Sequence, residues 1–285
     1  MNTRPLAILG AAVLVLGATV WVVGGGGTVW RPAVERPEPP PADLPADDLP
    51  VPPFPPRIAD DDRYDKCMTM LADDPEGAEA IATSWQATGG GEGATHCQAL
   101  AAIASGEPET GARMLETLAH GGKVQGFTVA VLLGQAAEAR LMADQAEPAL
   151  KDTTEALAIS PDDADLLIGR ANANDALERA NETLDDLNHA LLLDPARGDA
   201  LVFRASVWRR MDRLDEAKAD IEKALALDPE DADALLERGI LRQAMGDLPG
   251  AREDWKHAQA VDPNSEAAEL AAQNLTLLDA GPEKQ

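Results

Sequence analysis

Aromatic residues are scarce in this 285-residue chain: they make up 3% of it, with one tyrosine and three phenylalanines, although 45% of residues are hydrophobic. An apolar interior must therefore come from alanine and leucine, which favours helices packed closely through small side chains. Basic residues are short too, 24 against 50 acidic, for a formal net charge of −26. A surface of that sign repels nucleic acid and anionic headgroups, so no nucleic-acid partner is expected. Cysteine is limited to Cys67 and Cys97, and the four histidines are scattered. Neither a C-x-x-C redox pair nor a zinc ligand set can be assembled from them. No glycine-rich phosphate loop opens a helix, and there is no H-E-x-x-H or G-x-S-x-G. "GGGEG" at 89–93 lacks the lysine and threonine of a phosphate-binding loop and reads as a flexible turn. No catalytic residue, metal or cofactor is expected, and the chain does not read as an enzyme.

The first 30 residues differ in composition from the rest. Arg4 precedes an uncharged apolar run from Pro5 to Val23, and four glycines follow. As a helix, that run would extend roughly 28 Å, about the thickness of a bilayer core. Residues 1–30 are thus expected to be a transmembrane anchor, crossing through 5–23 with Trp21 and Trp30 near the outer interface; the alternative is a cleaved signal sequence. Both place the body on the exported, periplasmic side, anchored in the first case and secreted or periplasmic in the second. Residues 31–57 form a linker, with eleven prolines between 31 and 56. Such a stretch cannot form helix or a central strand, and spans at most about 80 Å as a polyproline II spacer.

Beyond the linker the chain repeats itself. Pro161, Pro195, Pro229 and Pro263 stand 34 residues apart, each closing a short aliphatic run. Small residues recur at the same interval: Ala137, Ala171, Ala205 and Gly239; Ala149, Thr183, Ala217 and Ala251; Ala156, Ala190, Ala224 and Ala258. Small side chains let two helices approach closely. Leu133, Leu167, Leu201 and Leu235 on the first helices, with Leu187, Ile221 and Trp255 on the second, fill the remaining space. Each proline ends a second helix because it cannot continue the hydrogen-bond ladder.

This pattern resembles the tetratricopeptide repeat, two antiparallel helices in about 34 residues. The match covers 130–263 as four units; 198–229 is the fullest, with Leu201, Ala205, Trp208, Ala217, Ile221, Ala224 and Pro229 at family positions. The resemblance implies an all-α, right-handed solenoid of helix hairpins. Residues 58–129 read as two degenerate repeats, and 264–285 as a capping helix and tail. One departure is the arginine at 170, 204 and 238, where the family usually has leucine. Asp152, Asp186, Asp220 and Asp254 on the second helices offer partners, within or between repeats. In an exported protein, Cys67 and Cys97 are expected to form a disulfide, with free buried thiols as the alternative.

The family also implies a function: a binding surface whose first helices line a concave groove. By that geometry the groove takes Ile168, Asn172, Val202, Ser206, Arg209, Arg210, Leu236, Ile240 and Gln243. Adjacent cations Arg209 and Arg210 stand out in so acidic a chain. Beside the groove's apolar stripe they point to a ligand with an apolar stretch next to an acidic residue or free carboxylate. The alternative is that they pair with acidic neighbours such as Asp175 or Asp212. The expected function is a membrane-tethered scaffold that binds another protein or peptide of the cell envelope, as an adaptor or in assembly. The alternative is an architectural or self-associating envelope protein without a dedicated groove ligand.

Overall fold

The computed structural model describes residues 57–280, where all regular structure is α-helical. The apolar run 5–23 and the proline-rich stretch 31–56 lie outside the described residues. The helices are α1 Asp62–Met70, α2 Pro75–Ala87, α3 Gly91–Ala104, α4 Pro108–His120, α5 Phe127–Met142, α6 Ala146–Ile159, α7 Ala164–Ala176, α8 Ala180–Leu193, α9 Gly198–Arg210, α10 Leu214–Leu227, α11 Ala232–Ala244, α12 Leu248–Val261 and α13 Glu266–Ala280. Each packs on the next, giving six consecutive helix pairs, with α13 laid against α11 and α12. First helices also touch one another, α5 with α7 and α9 with α11, and so line one side of the stack, its inner face.

The punctuation is local chemistry repeated at fixed intervals. The second helices α6, α8, α10 and α12 end at Ser160, Asp194, Asp228 and Asp262, whose backbone N–H groups bond back to Ala156, Ala190, Ala224 and Ala258. The next residue is proline each time, which cannot donate to extend the helix. Tight turns between paired helices place Asp144, Glu178, Asp212 and Gly246 in the left-handed region, at φ 56°, 58°, 61° and 86°. Only the last is glycine, the residue that adopts this conformation without strain. Asp163 and Asp231 accept backbone N–H groups in the first turns of α7 and α11, satisfying donors that the helix leaves open.

The small-residue positions are where helices meet. Ala171, Ala205, Ala217, Ala224 and Ala251 are all within 1% of complete burial, as are Leu133, Leu167, Leu201 and Leu235 beside them. Two large clusters, one centred on α4–α7 and one running from α7 to α13, share Ile168 as a neighbour, so the interior runs on from pair to pair. At the N-terminal end the core thins to small clusters around Cys67, Cys97 and Trp85. Cys67 on α1 and Cys97 on α3 are joined in a disulfide, their Cα atoms 6.2 Å apart. Closing a loop of 30 residues contributes about 3–4 kcal/mol in the chain-entropy picture, which suits a nine-residue helix with little core of its own.

The last pair resolves the size problem differently from its neighbours. Gly239 replaces alanine where Trp255 replaces Ile221, and a Cβ on Gly239 would lie 2.3 Å from the indole Nε1. The indole N–H donates to the Leu236 carbonyl at 3.3 Å. Gly239→Ala should therefore cost on the order of 1–3 kcal/mol by overpacking, and Trp255→Ile alone about 3 kcal/mol or more through the cavity it leaves. The double substitution recreates the Ala205/Ile221 pairing of the preceding repeat and should be more stable than either single variant in thermal unfolding. Simple additivity of the two losses would show that these side chains do not set each other's size.

Candidate functional site

The charged groups of the repeats separate into two sets. The first is internal to each hairpin. Arg170 clasps Asp186 through Nε at 2.9 Å and Nη2 at 2.6 Å. Arg204 holds Asp220 at 2.8 and 2.6 Å, and Arg238 holds Asp254 at 3.0 and 2.7 Å, in the same two-pronged geometry. In these three pairs the partners are 16 residues apart, one on each helix. Asp254 is met in addition by Arg242 at 2.9 Å, and Asp186 by the Asn174 amide at 3.3 Å. The question that spacing left open is thus answered: the bonds run within repeats, and these arginines face inward. The aspartates are buried, and bidentate pairing with hydrogen bonds is what lets a carboxylate sit there.

The α5/α6 pair lacks its arginine, having Ala136 in that place. Asp152 is met instead by Arg140, one helical turn later, with Nε 2.7 Å from Oδ2. Asp152 Oδ1 is buried without a partner, and burial raises its carboxyl above the ordinary range despite the arginine. Arg140 also reaches Glu116 at 2.6 Å on α4, and Lys151 approaches the same carboxylate at 3.0 Å, so this rung links two hairpins.

The second set joins first helices across the inner face. Arg209 on α9 donates from Nε to Glu237 on α11 at 2.5 Å. Burial raises the Glu237 carboxyl, and Arg209 opposes that rise. Arg210 turns the other way, to Asp175 on α7. Arg197, just before α9, bridges Asp165 and Asp199 at 2.7 Å each. The two arginines that stood out by charge are therefore already neutralised, each by a neighbouring repeat.

The other residues assigned to the groove divide by exposure. Asn172 and Gln243 are exposed, while Ile168, Val202, Ser206 and Ile240 are half-buried. Ser206 spends its hydroxyl on the Phe203 carbonyl at 2.8 Å. Leu236 is 8% exposed and belongs to the core, so it offers almost nothing to a ligand. The open inner surface is thus more polar than the aliphatic spacing implied. Two residues missed by sequence reading are Leu270 and Leu277 on α13, 39% and 68% exposed. Each lies 34 residues beyond an inner-face position, Leu236 and Gln243, so the same interval carried past Pro263 would have found them.

A buried polar chain runs across the N-terminal first helices. Tyr64 on α1 lies 2.9 Å from His96 Nδ1 on α3, and His96 Nε2 lies 2.8 Å from the Gln135 carbonyl oxygen on α5. Since that oxygen accepts only, Nε2 carries the proton, and Nδ1 accepts from the tyrosine hydroxyl. The chain is complete with a neutral imidazole. Among the described residues no group of three or more histidine, cysteine or acidic side chains is placed to hold a metal ion.

A thermophilic TPR protein of Thermus thermophilus, TTC0263, superposes with a TM-score of 0.56 at 19% identity, over 65% of this chain and 100% of its own. The fold is that of the tetratricopeptide-repeat proteins. The pilF protein of Pseudomonas aeruginosa gives a TM-score of 0.59 at 13% identity, over 75% of this chain and 95% of its own. A structure of the APC/C hetero-tetramer Cut9-Hcn1 gives 0.60 at 15% identity, over 75% of this chain and 42% of the matched chain. No family model matches the chain, and no curated protein matches it.

The His96 chain generates a pH dependence with a definite sign. Burial lowers the His96 pKa from its ordinary 6.5, with the bond to Gln135 opposing. The unfolded chain then binds the proton more readily than the native state. The stabilisation is full above about pH 6.5 and declines as pH falls below it. His96→Gln should flatten this acid-side decline relative to wild type in melting temperatures taken from pH 8 to pH 5. Parallel curves for the two proteins would mean that His96 titrates no differently in the folded state.

Proposed function

We propose that this protein is a binding scaffold that holds a segment of another protein along the inner face of its helix stack. The supporting observation is that the first helices meet along one side while Asn172 and Gln243 stand exposed there, unused by packing. Amide side chains in such a row can donate to and accept from a peptide backbone, and half-buried Ile168, Val202 and Ile240 supply contact area between them. The engaged arginines support a stiff, preorganised face, which lowers the ordering cost of capture. The fold is compatible with holding other chains, as a matched chain comes from the APC/C hetero-tetramer Cut9-Hcn1. We further propose that residues 1–30 tether the scaffold to a membrane and that 31–57 space it away, with the repeat body on the exported side. Among the described residues no helix is long and apolar enough to cross a membrane.

A photo-crosslinking amino acid introduced into the full chain in its native membranes tests the inner face. Placed at Asn172 or Gln243 it should yield discrete adducts with a different protein, while placement at Asp185 on α8 or Glu222 on α10 yields none. Adducts from all four positions alike, or only between copies of this chain, would contradict the proposal.

A further inference from the structure

We propose that the C-terminal third of the inner face, where α11 meets α13, captures a partner segment carrying aliphatic side chains beside a lysine or arginine. This rests on the inner-face reading above and adds to it a place and a ligand chemistry. Three observations carry it. First, the arginines of the face are already engaged: Arg209 is bound to Glu237 and Arg210 to Asp175, while Arg197 bridges Asp165 and Asp199. An acidic ligand, the expectation from sequence, would meet cations whose charge is already balanced by a carboxylate of the chain itself.

Second, the aliphatic side chains of the face are covered to a greater degree elsewhere than here. Leu236 is 8% exposed inside the stack, whereas Leu270, at the corresponding place on α13, is 39% exposed and Leu277 is 68% exposed. No further helix follows α13 among the described residues to cover them. Third, carboxylates at the start of α11 and α13 have no cationic side chain as a partner among the described residues; Asp231 also caps α11. Asp231, Asp233 and Glu266 enter no ion pair among the described residues, although the basic side chains deeper in the stack nearly all do. Burial raises the Asp233 carboxyl, and the like charges of Asp231 and Glu266 add to that rise.

The spacing aligns these features along one face, with Leu277 about 16 Å beyond Glu266 along the axis. On α13, Glu266, Leu270 and Leu277 fall within about 40° of one another around the helix, at 100° per residue. On α11, Asp233 and Ile240 are seven residues apart and share a stripe. A cationic side chain would relieve repulsion among the three carboxylates, while its aliphatic neighbours would cover Leu270, Leu277 and Ile240. A second copy of this chain is disfavoured as the occupant, because it would bring another strongly acidic surface to an acidic end.

The probe is a phage-displayed library of random 12-residue peptides, selected on the full chain, with the enriched sequences resynthesised and titrated. Enriched peptides should combine leucine, isoleucine or valine with lysine or arginine. Their affinity should fall at least tenfold with Leu277→Gln and with Asp233→Asn/Glu266→Gln. It should stay within twofold for Glu182→Gln/Asp185→Asn, which removes the same charge from α8. Acidic or uncharged enriched peptides would overturn the proposal. So would binding lost with Asn172→Ala but kept in Leu277→Gln and Asp233→Asn/Glu266→Gln, a result that leaves the inner-face reading standing. A dimer in light scattering that Leu277→Gln dissociates would assign the face to a second copy instead, and absence of any enrichment would remove both readings.

Discussion

A buried carboxylate between two closely packed helices must find its counter-charge nearby, and that constraint organises each hairpin of this protein. Asp186, Asp220 and Asp254 sit buried on second helices. The arginine 16 residues earlier supplies both bonds from a rigid planar fork. A slip of either helix by one residue would leave an uncompensated charge inside, so the pair fixes alignment as much as it stabilises. Such pairs contribute little to net stability, and we infer that their role here is to specify register. The α5/α6 hairpin supports this: with Ala136 in place of the arginine, Arg140 serves from one turn away, and Asp152 keeps an oxygen without a partner. The donor can move, but the acid is not left alone.

Much of the fold was legible because its signals recur. Proline after each second helix and small residues at the contacts are dictated by sterics that composition cannot hide. The left-handed turn position was not legible, since Asp144, Glu178, Asp212 and Gly246 share a conformation but not a residue type. The site was read less well than the fold. Adjacent arginines in an acidic chain look like a cationic spot when counted in sequence. Of their partners, Asp175 is among the acidic neighbours the sequence offers, whereas Glu237, 28 residues from Arg209, is reached only through the packing of first helices. Leu236 fits the inner-face spacing yet is covered, because spacing gives direction around a helix and not what the next repeat lays over it.

These corrections change the kind of partner the surface suits. A face whose arginines are committed, and whose exposed groups are amides, carboxylates and two end leucines, favours a basic and aliphatic segment over an acidic one. Two separate sets of bonds are at work: Arg170, Arg204 and Arg238 tie the helices of a hairpin together, while Arg209 and Arg210 tie neighbouring repeats across the inner face.

The central claim, that an intra-hairpin ion pair sets helix alignment, is tested most directly by a double-mutant cycle on Arg204 and Asp220. Asp220→Leu alone should cost about 3 kcal/mol, because it strands the guanidinium, and Arg204→Met about as much, because it strands the carboxylate. The double variant should return to within about 1 kcal/mol of wild type in chemical denaturation, since an apolar pair of similar shape removes the need for compensation. Losses that simply add in the double variant would contradict the claim, leaving the two residues independent and the alignment of the helices due to packing alone.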